Sequence, residues 1–167
     1  MLIRKSAYED LEFIMKIIKS AQKSLKMQNV DQWQNGYPNE KSIESDISND
    51  ISYVVIKNNQ IAATLAISFD GEKTYDEIHD GKWISNGEFC VIHRIAIDEI
   101  YKGSGLASDI IKYVESISLN RGVNSIKIDT HEDNIAMQKL LKKNGFKYCG
   151  IIYLEDNSKR IAFEKLF

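Results

Sequence analysis

The stretch from Ile92 to Ser108 constrains the fold more than any other part of this sequence. An apolar, strand-like run ends near Asp98, the chain turns through Tyr101-Lys102-Gly103-Ser104-Gly105, and a helical pattern begins at once. The first N–H groups of a helix have no intrahelical partner and point outward. Glycine lets the backbone approach an anion closely, and the helix dipole favours negative charge at that end. Lys102 adds a full positive charge at the rim. The arrangement suits a pyrophosphate, with a plain glycine-rich turn as the alternative.

The rest of the chain supplies elements around this turn. Residues 1–4 read as a short strand. Ser6 reads as an N-cap, with Glu9 three residues later as its capping-box partner. Leu11, Ile14, Met15, Ile18, Ala21 and Leu25 then recur at helical spacing, which predicts an amphipathic helix over 7–25. A shorter helix over 39–49 carries Ile43 and Ile47 on one face. Strands follow at 51–57 and 61–69 around a tight Asn58-Asn59-Gln60 hairpin. Residues 70–87 are polar, with Tyr75, Ile78 and Trp83 as apolar anchors, and are long enough to imply local structure or a role.

A strand over 88–98 leads to a helix over 104–120 with Leu106, Ile110, Ile111, Val114 and Ile117 inward. A strand at 124–129 and a helix at 134–143, stopped by Asn144-Gly145, come next. Strands 146–154 and 160–166 close the chain as an antiparallel pair. The order β-α-α-β-β-β-α-β-α-β-β is that of a mixed α/β (α+β) single domain spanning 1–167.

Composition excludes several function classes. At 167 residues, 43% hydrophobic and 28% charged, the chain has the make-up of a soluble globular domain. A net charge of -2 and scattered lysines give no pull toward nucleic acid or anionic membrane. No apolar run approaches the ~18 residues of a membrane span, and the amino terminus lacks a signal-peptide pattern. Cys90 and Cys149 have no metal-site or disulfide spacing and read as small buried hydrophobes. A cytoplasmic protein without a metal site is expected.

The turn has two rivals among nucleotide-binding motifs. Gly103-Ser104-Gly105 before a helix, with Asp129 ending the next strand, echoes a dinucleotide fingerprint and an NAD-dependent oxidoreductase. Ser108 stands where the third glycine belongs, and the roughly 40 residues after Asp129 are too few for the remaining parallel strands. No G-x-x-x-x-G-K-(S/T) occurs, which excludes a P-loop.

The run His93-Arg94-Ile95-Ala96-Ile97-Asp98-Glu99-Ile100-Tyr101-Lys102-Gly103-Ser104-Gly105-Leu106-Ala107 resembles the core motif of GNAT acetyltransferases. There a strand is followed by (R/Q)-x-x-G-x-(G/A), matched here by Lys102, Gly105 and Ala107 with lysine at the first position. Asn134, Ala136, Leu140, Leu141, Gly145 and Phe146 resemble the second motif, with looser spacing. The resemblance implies a mixed, mostly antiparallel sheet of about six or seven strands flanked by about four helices. It implies that backbone N–H groups of Tyr101, Lys102, Gly103, Ser104, Gly105 and Leu106, next to Ala107, hold the pyrophosphate of acetyl-CoA. Ile95, Ala96 and Ile97 would run beside the pantetheine arm as if it were another strand, and Asn134 would touch the cofactor near the pantetheine end. In the family the fourth and fifth strands splay apart and the thioester sits in the gap. The implied activity is transfer of acetyl from acetyl-CoA to a primary amine of a small molecule or peptide, through a tetrahedral intermediate. A CoA-binding sensor or interaction module without turnover is the alternative.

Such a transfer needs a neutral amine, yet an alkylamine has a pKa of about 10.4, so a base or water relay is required. His93, on the cofactor strand, is the leading base, because imidazole chemistry suits proton transfer near neutral pH; a histidine bonded to a carbonyl on the other face is the competing reading. Glu88, near the start of the same strand, is the second candidate, acting through water, or an exposed strand-end carboxylate. Leu141 occupies the position where the family often has a proton-donating tyrosine, which leaves Tyr153 and Cys149 as substitutes, or as packing residues. Trp33, Tyr37, Trp83 and His131 are the acceptor-side candidates, the aromatics as pocket walls and His131 at a strand's carboxyl end. An edge strand at the C-terminus could pair between subunits into a homodimer.

Overall fold

Seven strands and four helices follow one another in the order that the periodicity predicts. The computed structural model describes residues 1–167. Its elements are β1 (Leu2–Lys5), α1 (Leu11–Met27), α2 (Glu40–Ser48), β2 (Ser52–Lys57), β3 (Gln60–Ser68), β4 (Cys90–Ile97), α3 (Leu106–Leu119), β5 (Ser125–Thr130), α4 (Ile135–Lys143), β6 (Lys147–Tyr153) and β7 (Lys159–Leu166). The strands form one open sheet in the order β1-β2-β3-β4-β5-β7-β6. Pairs β1–β2, β2–β3, β5–β7 and β6–β7 are antiparallel. Strands β4 and β5 are parallel, with Cys90 opposite Ile126 and Val91 opposite Lys127. The sheet is therefore mostly antiparallel, as expected.

The chain forms two compact units, 1–67 with 93–106 and 68–92 with 107–167. In the first, the β2–β3 hairpin turns on two residues, Asn58 and Asn59, both at left-handed φ (53° and 60°). Asparagine tolerates that region, and a two-residue turn with both φ positive matches the twist of paired strands. Ile14, Ile17 and Ile18 of α1 pack with Ile43 and Ile47 of α2, Val54 of β2 and Ala96 of β4. Each fully buried isoleucine contributes about 2–3 kcal/mol through apolar burial. Ile17 lies on this face although the sequence pattern omits it.

The start of α1 differs from expectation. Ser6 does not cap it: Ser6 N–H donates to the Ser52 carbonyl (2.9 Å), and the Ser52 hydroxyl donates to Ser6 Oγ (2.9 Å). A 3-10 turn, Tyr8–Asp10, leads into the helix. Asp10 closes it by accepting the Ala7 N–H (2.8 Å) while pairing with Arg4 in a two-point contact (2.7 and 2.9 Å). A carboxylate that meets a backbone donor and a guanidinium together outcompetes a neutral hydroxyl.

In the second unit the 69–89 segment is an anchored strap. Tyr75, 3% exposed, donates to Asp129 Oδ2 (2.7 Å), and Trp83 Nε1 donates to the Tyr75 carbonyl (2.8 Å). Both groups pack with Val91, Ile152 and Ala162, joined by Ile78 and Phe89. Glu164, fully buried, accepts from Ile84 N (2.6 Å), Ser85 N (3.3 Å), the Ser125 hydroxyl (2.8 Å) and the Ser85 hydroxyl. Lys127, opposite Glu164 in the β5–β7 register, sets its ammonium 4.0 Å from the Phe89 ring centroid and 4.5 Å from that of Trp83. Burial lowers the Lys127 pKa, and the Glu164 charge resists the fall.

Smaller differences concern α3 and the sheet order, whereas the two cysteines are as expected. On α3 the buried position near the C-terminus is Ser118, whose hydroxyl donates to the Val114 carbonyl (2.7 Å), while Ile117 is only partly buried. The last strand, β7, is interior, and the outer strands of the sheet are β1 and β6. At Ile151 the open side of β6 is bonded to His79 by two reciprocal 2.8 Å backbone bonds. Cys90 and Cys149 are unbridged and buried, and burial pushes the Cys90 thiol up to about 11, so it stays protonated.

Candidate active site

The glycine turn after β4 is built as its sequence suggests. Asp98 N–H donates to the Ala62 carbonyl (2.9 Å), tying the strand end to β3, and Asp98 Oδ1 accepts the Ile100 N–H (3.0 Å). A 3-10 turn, Glu99–Tyr101, follows, and Tyr101 is buried with its hydroxyl donating to the Lys57 carbonyl (3.3 Å). Gly103 (φ 74°) and Gly105 (φ 87°) are both left-handed, a region that side chains rarely adopt. A Cβ built on either glycine would meet nothing within 4 Å. The space at both is open on the outer side of the turn.

Helix α3 begins at Leu106, 2% exposed, directly after Gly105, which has no side chain to cap it. The nearby Ser104 hydroxyl is committed to the Tyr101 carbonyl (2.6 Å). Within the turn, the N–H groups of Tyr101, Lys102 and Ser104 donate to the Asp98, Glu99 and Tyr101 carbonyls (2.9, 3.2 and 3.3 Å), a correction to the expectation that all six from Tyr101 to Leu106 face an anion. Lys102 stands at the rim, with Nζ paired to Glu99 Oε1 and 3.5 Å from the Ser24 hydroxyl. Its charge is shared with Glu99, which the sequence reading did not anticipate. Open glycines at a helix start and a nearby ammonium fit a pyrophosphate.

Strand β4 carries an irregularity beside His93. Arg94 has φ +52° in the middle of the strand, a conformation that costs a non-glycine residue about 1–2 kcal/mol. Its guanidinium is fixed by Asp46 of α2: Nε donates to Oδ2 (2.6 Å) and Nη2 to Oδ1 (2.5 Å). Nη1 donates to the Tyr37 hydroxyl, and the Tyr37 ring lies 5.9 Å from the guanidinium carbon. The Arg94 and Asp46 side chains are 15% and 8% exposed. Burial pushes the Asp46 carboxyl upward, and the Arg94 charge and hydrogen bonds, with a smaller contribution from His93, pull it down. His93, half-buried, thus sits within electrostatic reach of this pair.

Sequence reasoning missed Arg94 and Asp46. Two signals could have found them. Arg94 is a full charge inside the apolar run Cys90–Ile97, and Asp46 is three residues after Ile43 and one before Ile47, on the inward face of α2.

The other candidates fall as follows. In the first unit, Trp33 packs against the Ile14–Ile18 core, and Tyr37, 41% exposed, meets Arg94. Ile95 and Ile97 are partly buried and flank the buried Ala96. In the second unit, Glu88 lines an open cavity of about 480 Å³ with Phe69, Gly71, Asn86, Gly87 and Phe89. Trp83 lies tilted against Tyr75, with ring centroids 5.1 Å apart, and packs within the strap. His131 Nδ1 accepts the Asp133 N–H (3.1 Å), and Tyr153 lies edge-on to His79 at 5.3 Å. Ala107 is partly buried in the first turn of α3, and Asn134 caps α4 by accepting the Met137 N–H (3.1 Å). No cluster of three or more His, Cys, Asp or Glu side chains is arranged to hold a metal ion.

The chain matches the profile of the Acetyltransferase (GNAT) family over residues 18–146. A crystal structure of a GNAT-family acetyltransferase from Streptococcus agalactiae superposes with a TM-score of 0.89 at 33% identity, covering 99% of this chain and 95% of that one. A GNAT-family acetyltransferase from Listeria monocytogenes gives 0.76 at 18% identity, with 99% and 94% coverage. A ribosomal-protein-alanine N-acetyltransferase from Brucella melitensis gives 0.69 at 14% identity, with both chains fully covered, and shows likeness of fold. No curated protein matches the chain.

Proposed function

The chain belongs to the GNAT acetyltransferase family, and from that premise we propose that residues 1–167 act as one cytoplasmic catalytic domain moving acetyl from acetyl-CoA to a primary amine of a small molecule or peptide. The observation that carries the reading is the turn at 98–106, where two left-handed glycines open onto free space at the start of helix α3. The N–H groups of Gly103, Gly105 and Leu106, with the Lys102 charge and the neighbouring Ala107, hold the donor's pyrophosphate, since those of Tyr101, Lys102 and Ser104 already donate to the Asp98, Glu99 and Tyr101 carbonyls. Ile95, Ala96 and Ile97 run beside the pantetheine, and Asn134 contacts the donor farther along. The donor supplies an acetyl group activated as a thioester.

The protein's own task is to deprotonate an amine that is cationic at neutral pH. His93 is the proposed base, held on β4 beside the Arg94–Asp46 pair, with Glu88 as the second proton acceptor. Tyr153 is the proposed proton donor to the departing thiolate. Trp33, Tyr37, Trp83 and His131 are the proposed acceptor-side residues.

The test is calorimetric titration of acetyl-CoA, followed by thiol release across alkylamines, amino-acid amides and short peptides with free amino termini. Binding by wild type and release with at least one amine support the reading, and His93→Ala should cut kcat by about 10²–10⁴-fold. Absence of binding at millimolar acetyl-CoA would sink it. A second reading, a CoA sensor without turnover, is favoured by Leu141. That residue is fully buried and apolar where the resemblance puts a tyrosine proton donor. Tight acetyl-CoA binding with no turnover on any amine selects this second reading.

A further inference from the structure

We propose that Arg94, Asp46 and Tyr37 form a clamp that sets the shape of β4 for donor binding, with Arg94 and Asp46 as positioning residues. The inference rests on the acetyl-CoA reading and deepens it. A residue at φ +52° inside a strand turns its peptide groups away from the regular ladder and redirects the residues that follow. Those residues are Ile95, Ala96 and Ile97, the proposed partners of the pantetheine arm. Nothing in the local sequence asks for this conformation, since arginine carries a Cβ and glycine does not.

The side chain supplies what the backbone lacks. Asp46 meets Arg94 through two parallel hydrogen bonds from a face of α2 that is otherwise Ile43 and Ile47. A forked contact fixes the orientation of the guanidinium plane as well as its position. Tyr37 adds a third point on Nη1, and it lies in the connection between α1 and α2 that also carries Trp33. One guanidinium therefore joins the donor strand to the segment bearing the acceptor-side aromatics of this unit. Buried pairs of this kind add little to stability compared with apolar replacements, and fixing geometry is the role assigned to this one.

The experiment compares two ligands on three proteins. Acetyl-CoA reads the pantetheine strand and the phosphate turn together, whereas adenosine 3′,5′-bisphosphate lacks the pantetheine and does not touch β4. Calorimetry is run on wild type, Asp46→Asn and the double variant Asp46→Leu/Arg94→Met, each checked by thermal unfolding. The double variant keeps the volume without leaving a charge unpaired, and Asp46→Asn is the second arm if the double variant does not fold. The clamp predicts a loss of roughly tenfold in acetyl-CoA affinity, the worth of one misaligned hydrogen bond, with bisphosphate affinity unchanged. Acetyl-CoA affinity within twofold of wild type in folded variants overturns the clamp alone. Equal losses for both ligands also overturn it, since they report general loosening. A wild type that binds no acetyl-CoA overturns the donor reading and the clamp with it.

Discussion

Asp10 shows at the scale of one residue how a charge is placed and what it contributes. The Arg4 hydrogen bond holds its carboxyl below the ordinary value of 3.8, against the upward push of burial, with the Ala7 N–H helping. A lowered aspartate pKa means that the folded state prefers the ionised form, so the stability is present at neutral pH and is lost as pH falls through the lowered value. Asp10→Asn should cost about 1 kcal/mol at pH 7, a small figure because the Arg4 side chain is 40% exposed. Chemical denaturation at stepped pH checks this, and the gap to wild type should close below pH 3.8. A gap that stays constant down to pH 2 would show that the charge is not the cause. Gly105 makes a second residue-scale case. At φ 87° its replacement by valine is strained whatever space surrounds it, so Gly105→Val should weaken acetyl-CoA binding at least tenfold by calorimetry while the protein stays folded.

Among the elements, the strap over 69–89 depends on one buried carboxylate. Glu164 takes four donors from Ile84, Ser85 and Ser125, and truncation leaves the buried Ser125 hydroxyl and the part-buried Ile84 and Ser85 donors without this acceptor. Glu164→Ala should destabilise by about 3–5 kcal/mol, measured by urea unfolding, and should speed amide exchange at Ile84 and Ser85 first. A loss under 1 kcal/mol would show that the strap is held by its aromatic packing instead. The sequence makes the Asn58-Asn59 hairpin and the glycine turn legible because each is decided by local backbone chemistry. It hides the Glu164 contact and the Arg94–Asp46 pair because each joins residues far apart along the chain. The same reason explains Ser6: the residue has the right chemistry for a cap, and Ser52, distant in sequence, takes it. The contacts of Trp83 with Tyr75 and Lys127 are hidden for the same reason, since they form only once the strap folds back.

For the whole molecule, the order of elements already carried the architecture, because periods of two and of 3.6 alternate cleanly along the chain. The position of β7 between β5 and β6 was not legible, since a hairpin fixes that two strands pair and leaves open which one is outermost. The acceptor is equally outside local sequence chemistry, because it depends on side chains that several elements present together. The central claim is that the backbone of Gly103, Gly105 and Leu106 holds the donor's pyrophosphate. Amide chemical shifts of isotope-labelled protein, followed during titration with acetyl-CoA, test it most directly. The account predicts the largest shifts at the amides of Gly103, Gly105 and Leu106. Saturation with those amides unmoved and the main shifts elsewhere would contradict it.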